Sequence, residues 1–179
     1  AVGPLEELKG EFTALDGMTI STVVHDKKLV NSSDKNQTSF LVWAHVKEWT
    51  KQKPLNLNDA VDLHELDELI KTVAKTNGID VNKPFPFVIE GIAESATYHV
   101  LAPINLKDSV SNHKQSATFI DKSNQQLTMV GFFSQSHHGV FTHKGSNSHI
   151  HVIDEGVTGH LDAIKLRGKY LVRFAKSYY

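Results

Sequence analysis

The chain has 179 residues, 40% hydrophobic and 22% charged, with a formal net charge of −1 and no cysteine. That length buries a full core in a single domain. The neutral balance, without a basic stripe, excludes a nucleic-acid binder, and no apolar run approaches the roughly 20 residues that span a bilayer.

Residues 10–30 read as short strands with Asp16-Gly17 as a turn. Ser39 to Trp49 is apolar, β-branched and aromatic and reads as a strand; Thr50 to Asn58, polar and carrying Pro54, reads as a loop. Asp59 to Asn77 is the clear helix: Leu63, Leu66, Ile70 and Val73 keep the helical period, Asn58 or Asp59 is placed to cap it, and Asn77-Gly78 stops it. Phe85–Glu90 and Ala96–Leu101 look like a hairpin around Gly91, followed by a polar loop from Lys107 to Lys114. Ala117–Ile120 and Leu127–Ser134 read as strands, Ser136–Asn147 as a loop rich in His, Gly and Ser, and 148–153, 160–166 and 169–175 as the last strands. Strands with one helix of real length indicate an α+β class. The chain begins at Ala1, which fits a processed export signal, hence a periplasmic or secreted location, as well as a trimmed sequence.

Without cysteine there is no disulfide, thiol nucleophile or thiolate ligand, so a transition-metal site must use His, Asp or Glu. Histidine is the outlier, at eleven copies. His149 and His151 sit at i and i+2 of a strand-like run, so both side chains point to one face. A hairpin through Asp154-Glu155-Gly156 returns the chain antiparallel and can bring His160 onto that face. Three imidazoles so placed are what a catalytic zinc site needs, with the fourth position left for water or substrate; imidazole also suits copper, iron and nickel. The bland alternative is a set of ordinary surface or core histidines. Asp162, two residues beyond His160, is either a carboxylate that orients an imidazole or a solvent-facing strand residue. His137, His138 and His143 precede the motif and read as solvated loop residues, with a cleft-lining or fourth-ligand role as the other reading; His25, His45, His64 and His113 have no motif around them.

Residues 131–162, from Gly131-Phe132-Phe133 through His149-Ile150-His151 and the acidic Gly turn to Gly159-His160-Leu161-Asp162, resemble the acetolactate decarboxylase family. Gly10-Glu11-Phe12-Thr13-Ala14-Leu15-Asp16-Gly17 resembles the Gly-Thr-Phe…Leu-Asp-Gly segment of that family, Gln37–Phe40 its Thr-Pro-Phe, and Phe85–Gly91 the strand after its helix. The blocks keep order and spacing from about residue 3 to residue 166, with a His151–His160 turn two residues shorter than the family's usual one. The resemblance implies a two-lobed, mixed-sheet fold with one main helix, about 1–105 as an N-terminal lobe and about 106–179 as a metal-binding lobe. It also implies a homodimer, a zinc ion held by His149, His151 and His160, and a small-molecule substrate, a 2-hydroxy-2-methyl-3-oxo acid decarboxylated to acetoin.

Departures from the family pattern are equally specific. Met18 stands where the family has a catalytic Glu; the stretch Tyr98–Pro103 lacks the family's Arg; the tail from Lys169 to Tyr179 lacks a further Glu. Glu11, which replaces a family Thr, and His99, near the missing Arg, are the candidate catalytic substitutes, with His137, His138 or Lys144 as other sources of positive charge. Loss of a general acid alone costs roughly 10²–10⁴ in rate. Three functions therefore stay open: a zinc-dependent lyase of the acetolactate decarboxylase type, a metalloenzyme acting on another small hydroxy-carbonyl compound, and a metal- or ligand-binding relative without catalysis.

Overall fold

In the computed structural model, residues 1–32, 37–102, 117–142 and 145–179 are described. His113, His143, Lys144 and the expected loop from Lys107 to Lys114 lie outside them. The chain forms β1 (Val2–Pro4), a short 3-10 turn (Glu6–Leu8), β2 (Glu11–Leu15), β3 (Met18–His25), β4 (Lys28–Asn31), β5 (Val46–Trp49) and β6 (Lys53–Asp62). The helix α1 (Leu63–Thr76) follows, then β7 (Phe85–Leu101), β8 (Ala117–Phe133), β9 (Ser148–Asp154) and β10 (Val157–Tyr178). The α+β class holds, as two sheets and one main helix. The first sheet runs β1-β2-β3-β4, and the second runs β5-β10-β7-β8-β9 with β6 paired to β10. β9 also pairs with β10, so the ladders β7–β8–β9–β10–β7 close into a ring.

Several expected boundaries move, each for a local reason. No turn forms at Gly91, and β7 runs through it as one strand. A Cβ there would lie 2.3 Å from Tyr170 Cδ1, so the glycine is a seat for the Tyr170 ring, whose hydroxyl donates to the Ile92 carbonyl at 2.6 Å. The expected loop at 50–58 is mostly β6. Its Pro54 pairs with Leu171 on a strand whose one ladder is to β10, an edge position where a missing N–H is tolerated. The last two expected strands are one, β10, interrupted by a bulge at Gly168 with φ +104°. Of Ser39–Trp49, only Val46–Trp49 is strand; Val42 makes an isolated antiparallel bridge to Val2 of β1, as Thr38, just before the stretch, does to Leu5.

Helix α1 starts at Leu63, the first of its periodic residues, and not at Asp59, because Asp62 rather than Asn58 or Asp59 caps it. The Asp62 carboxylate accepts from the amides of His64 and Glu65, and the Glu65 carboxylate accepts from the Asp62 amide. Leu66, Ile70 and Ala74 form its buried face and join Phe85, Phe87, Phe133, Phe174, Tyr98 and Tyr170 in the main core. Each large apolar side chain so buried contributes roughly 1.5–3 kcal/mol.

This core fixes β7, β8, β9 and β10 rigidly, and the first sheet is tied onto the β9–β10 hairpin. Asn31 Nδ2 donates to the Gly156 carbonyl at 2.8 Å, and the Thr158 amide donates to Thr22 Oγ1 at 2.8 Å. The two sheets part between Asn31 and Val46, while β7 and β8 pair across the position near residue 105.

Candidate metal centre

The β9–β10 hairpin places the histidines. Its loop is Glu155-Gly156, with φ of 47° and 87°, the doubly positive backbone of a two-residue hairpin turn whose twist matches the flanking strands. That turn sets Val157 opposite Asp154 and His160 opposite His151. On the other flank of β10, His160 stands opposite His99 of β7. Directly opposed residues share a face, so His151, His160 and His99 form one row across three strands, with His149 two residues along β9. Gly159 makes this possible: a side chain there would strike the Tyr98 ring at 2.5 Å and the His99 carbonyl at 2.8 Å.

The rings of His149, His151 and His160 form a triangle with centroids 5.2, 5.1 and 5.6 Å apart. Three imidazoles on a tetrahedral zinc, with bonds of about 2.0–2.1 Å, have centroids roughly 5.2 Å apart. All three residues are buried. Among the described residues, the donor atoms that come within 4.8 Å of one another belong to His99, His160 and Asp162. The two groups overlap at His160, and together they make a His/Asp site able to take a cation.

His151 is held in a defined tautomer. Thr158 Oγ1 donates to the Val152 carbonyl at 2.8 Å, Thr13 Oγ1 lies 2.6 Å from Thr158 Oγ1, and His151 Nδ1 lies 3.1 Å from Thr13 Oγ1. With the Thr158 proton committed to the carbonyl, Thr13 donates to Thr158 and accepts from His151 Nδ1–H. This leaves the His151 Nε2 lone pair facing the site, where that atom is buried without a hydrogen bond. Burial first, then the neighbouring His149 and His99, hold His151 well below the usual imidazole range, so it stays neutral. A neutral imidazole with its second nitrogen anchored is a ready metal ligand.

Glu11 enters from β2, with Oε2 3.6 Å from His151 Nε2. Its carboxyl is pushed up to about 8, chiefly by burial and also by the nearby Asp162, against the opposing effect of a hydrogen bond from the Leu101 amide. His99 Nδ1 lies 2.6 Å from Asp162 Oδ2, so Asp162 orients His99 rather than facing solvent. Asp162 is the extra residue of a bulge, since the register passes from Leu161–Tyr98 to Ala163–Thr97.

Glu11, His99 and the three histidines of the triangle line a cavity of about 340 Å³ whose other walls include Leu8, Phe40, Leu101, Val140 and Phe141. A larger hollow of about 500 Å³ is backed by Phe12 and Ala14, on the opposite face of β2, and is lined by Trp43, Trp49 and Phe132. It holds no comparable constellation.

Other expectations land elsewhere. Met18 is 69% exposed on β3 and lines neither space. His137 bonds Ser134 Oγ at 2.7 Å and stacks on Phe141, and His138 Nε2 donates to the Gln135 carbonyl; neither lines the cavity. Arg173 pairs with Asp16 at 2.6 Å and stacks on Trp49, and Arg167 lies beside Glu94. The Thr13–Thr158 relay has no motif of its own. Its one sequence signal is the i+2 spacing of Thr13 from Glu11.

An α+β protein of two sheets that gathers buried histidines and the Glu11 carboxyl around one cavity has a candidate metal site. A sequence profile for alpha-acetolactate decarboxylase matches residues 1–177, and the chain belongs to that family. The crystal structure of alpha-acetolactate decarboxylase from Bacillus subtilis strain 168 is similar, with a TM-score of 0.71 at 16% identity over 98% of this chain and 72% of that one. So is acetolactate decarboxylase from Bacillus subtilis subspecies spizizenii, at 0.71 and 16% over 98% and 73%. A Staphylococcus aureus protein of unknown function, described as similar to alpha-acetolactate decarboxylase, gives 0.67 and 17% over 99% and 72%. Likeness at such identities speaks for the fold alone. Among curated proteins, none matches this chain.

Proposed function

We propose that the chain is a zinc-dependent carboxy-lyase acting on a small 2-hydroxy-3-oxo acid, with chemistry of the acetolactate-to-acetoin type. The observation that carries this reading is the histidine triangle facing the buried Glu11 within the family's fold. His149, His151 and His160 would hold the ion, which when bound supplies Lewis-acid stabilisation of the charge that develops as carbon dioxide leaves. In the metal-free chain the Glu11 carboxyl is pushed up to about 8; a cation on the neighbouring histidines would lower it, and Glu11 is the acid–base group beside them at the cavity wall. His99, oriented by Asp162, presents its Nε2 edge from the β7 side. Phe40, Leu101 and Phe141 give the cavity apolar walls. Glu11 and His99 thus take the roles that Met18 and the missing Arg leave open.

One observation favours a second reading. Among the described residues, no Arg or Lys lines the cavity, and both arginines are engaged elsewhere. A carboxylate substrate would then lack a cationic clamp, which suits an uncharged hydroxy-ketone, or a metal-binding protein without turnover. Zinc-loaded protein incubated with 2-acetolactate decides the matter. Acetoin formed by the native chain and lost in His151→Ala supports the lyase. Turnover confined to neutral hydroxy-ketones supports the other enzyme, and stoichiometric metal without turnover of either supports the binding protein.

A further inference from the structure

His160 serves two donor groups, not one. His99, His160 and Asp162 each bring a ligand atom to within 4.8 Å of the others. The His99 and His160 centroids are 5.0 Å apart, as close as any pair in the three-histidine triangle. His99 and His160 are 8% and 7% exposed, so this is an interior cluster and not a surface gathering of charge.

We propose a second cation position in this chain, held by His99, His160 and Asp162, beside the His149–His151–His160 centre and sharing His160 with it. Two imidazoles and one carboxylate suit a borderline divalent transition ion such as zinc or cobalt; magnesium and calcium prefer oxygen ligands throughout.

Strand register gives the reason for two positions. His160 lies between His151 on one flank and His99 on the other. An imidazole carries nitrogens on two edges, so one ring can face both flanks, its N–H proton being released to solvent when the second ion binds. The bulge frees Asp162 from cross-strand pairing and turns its carboxylate toward His99.

Access is also divided. A second cavity of about 220 Å³, bordered by Leu63, Ser146, Ser148 and Asp162, meets the histidine cavity at His160, the residue common to both linings. Neighbouring dications repel, and Asp162 supplies the offsetting negative charge, so the second position fills after the first.

The test reads stoichiometry, so a chain that never decarboxylates anything answers it equally well. Chelator-treated full chain is titrated with cobalt(II) by calorimetry, and bound metal is counted after desalting. The expected result is a tight step followed by a second, weaker by roughly tenfold or more. His99→Ala and Asp162→Asn should each remove the weaker step and leave the tight one. His151→Ala should remove the tight step and leave one ion bound.

A single equivalent in the native chain overturns the proposal. So does a second step that survives both His99→Ala and Asp162→Asn, or a His151→Ala protein that binds nothing. Circular dichroism on each variant separates loss of a site from loss of the fold. Asp162→Asn, nearly isosteric, carries the test if His99→Ala does not fold.

Discussion

Glu11 is a carboxyl almost wholly withdrawn from water, 2% exposed at the cavity wall beside an imidazole that is itself uncharged. Its pKa rises from 4.5 to about 8, first through desolvation. Between those two values the folded chain binds a proton that the unfolded chain has released, so stability falls as pH rises through that window. Below it the two states are protonated alike and there is no penalty; above it the full cost of burying the anion applies, on the order of 5 kcal/mol as an upper figure. Urea denaturation in the presence of a chelator should therefore show native stability declining from about pH 6.5 to pH 8, above the range in which the uncharged His151 adds a slope of opposite sign. Glu11→Gln should flatten that slope and be the more stable protein at pH 8.5. Equal slopes for the two proteins would place the proton elsewhere. Glu11 itself was legible in the sequence, because it breaks a family pattern on a strand leading into the site. Its unusual proton affinity was not, because that comes from burial against the apolar wall and from Asp162, which outweigh the Leu101 amide and which only the fold brings near.

At the scale of elements, the sequence speaks clearly where a side-chain pattern is local. The helix follows from Leu66 and Ile70, and the hairpin from Glu155-Gly156, whose two positive φ values suit the turn that sets His160 opposite His151. It misleads where a glycine or proline answers to a distant partner. Gly91 reads as a turn until Tyr170 is placed against it; Pro54 reads as a breaker until its strand proves to be an edge. The same reasoning makes Gly91 testable. In Gly91→Ala the new methyl would sit 2.3 Å from Tyr170 Cδ1 and 3.1 Å from the Lys169 carbonyl. The Tyr170 ring must then shift and strain its hydroxyl bond to the Ile92 carbonyl. Overpacking of this kind costs about 1–3 kcal/mol. We expect a lower urea midpoint with an unchanged denaturant slope and unchanged metal stoichiometry, because β9 and the histidine row lie away from Gly91. A variant as stable as the native chain would show that Gly91 is not the seat of that ring.

Across the whole molecule, the cavity is assembled from both sheets. β9 and β10 bring His149, His151 and His160, β7 brings His99, and β2 reaches in from the first sheet with Glu11 and Thr13. No single stretch of chain contains it, which is why the sequence motif pointed to the histidines and to Asp162 but not to the Thr13–Thr158 relay. A cation bound here would cross-link β9 to β10 and, through the Thr13–His151 contact, stiffen the seam between the sheets. An unfolded chain offers no such convergent site, so metal should stabilise the native state by RT ln(1 + [L]/Kd), about 2.7 kcal/mol at a hundredfold excess over Kd. For a chain of this size that corresponds to a rise in Tm of roughly 5–10 °C. Zinc added to chelator-treated protein should raise the midpoint of thermal unfolding by that amount. The rise should grow with the logarithm of free zinc and shrink sharply in His151→Ala. Thr13→Val, which keeps all the histidines and removes only the hydroxyl that fixes the His151 tautomer, should fall between, since loss of such an anchor weakens metal binding roughly 10–100-fold. A thermal shift in Thr13→Val equal to that of the native chain would mean that His151 does not depend on the first sheet for its orientation, and the two sheets would then meet at the site without acting on it together.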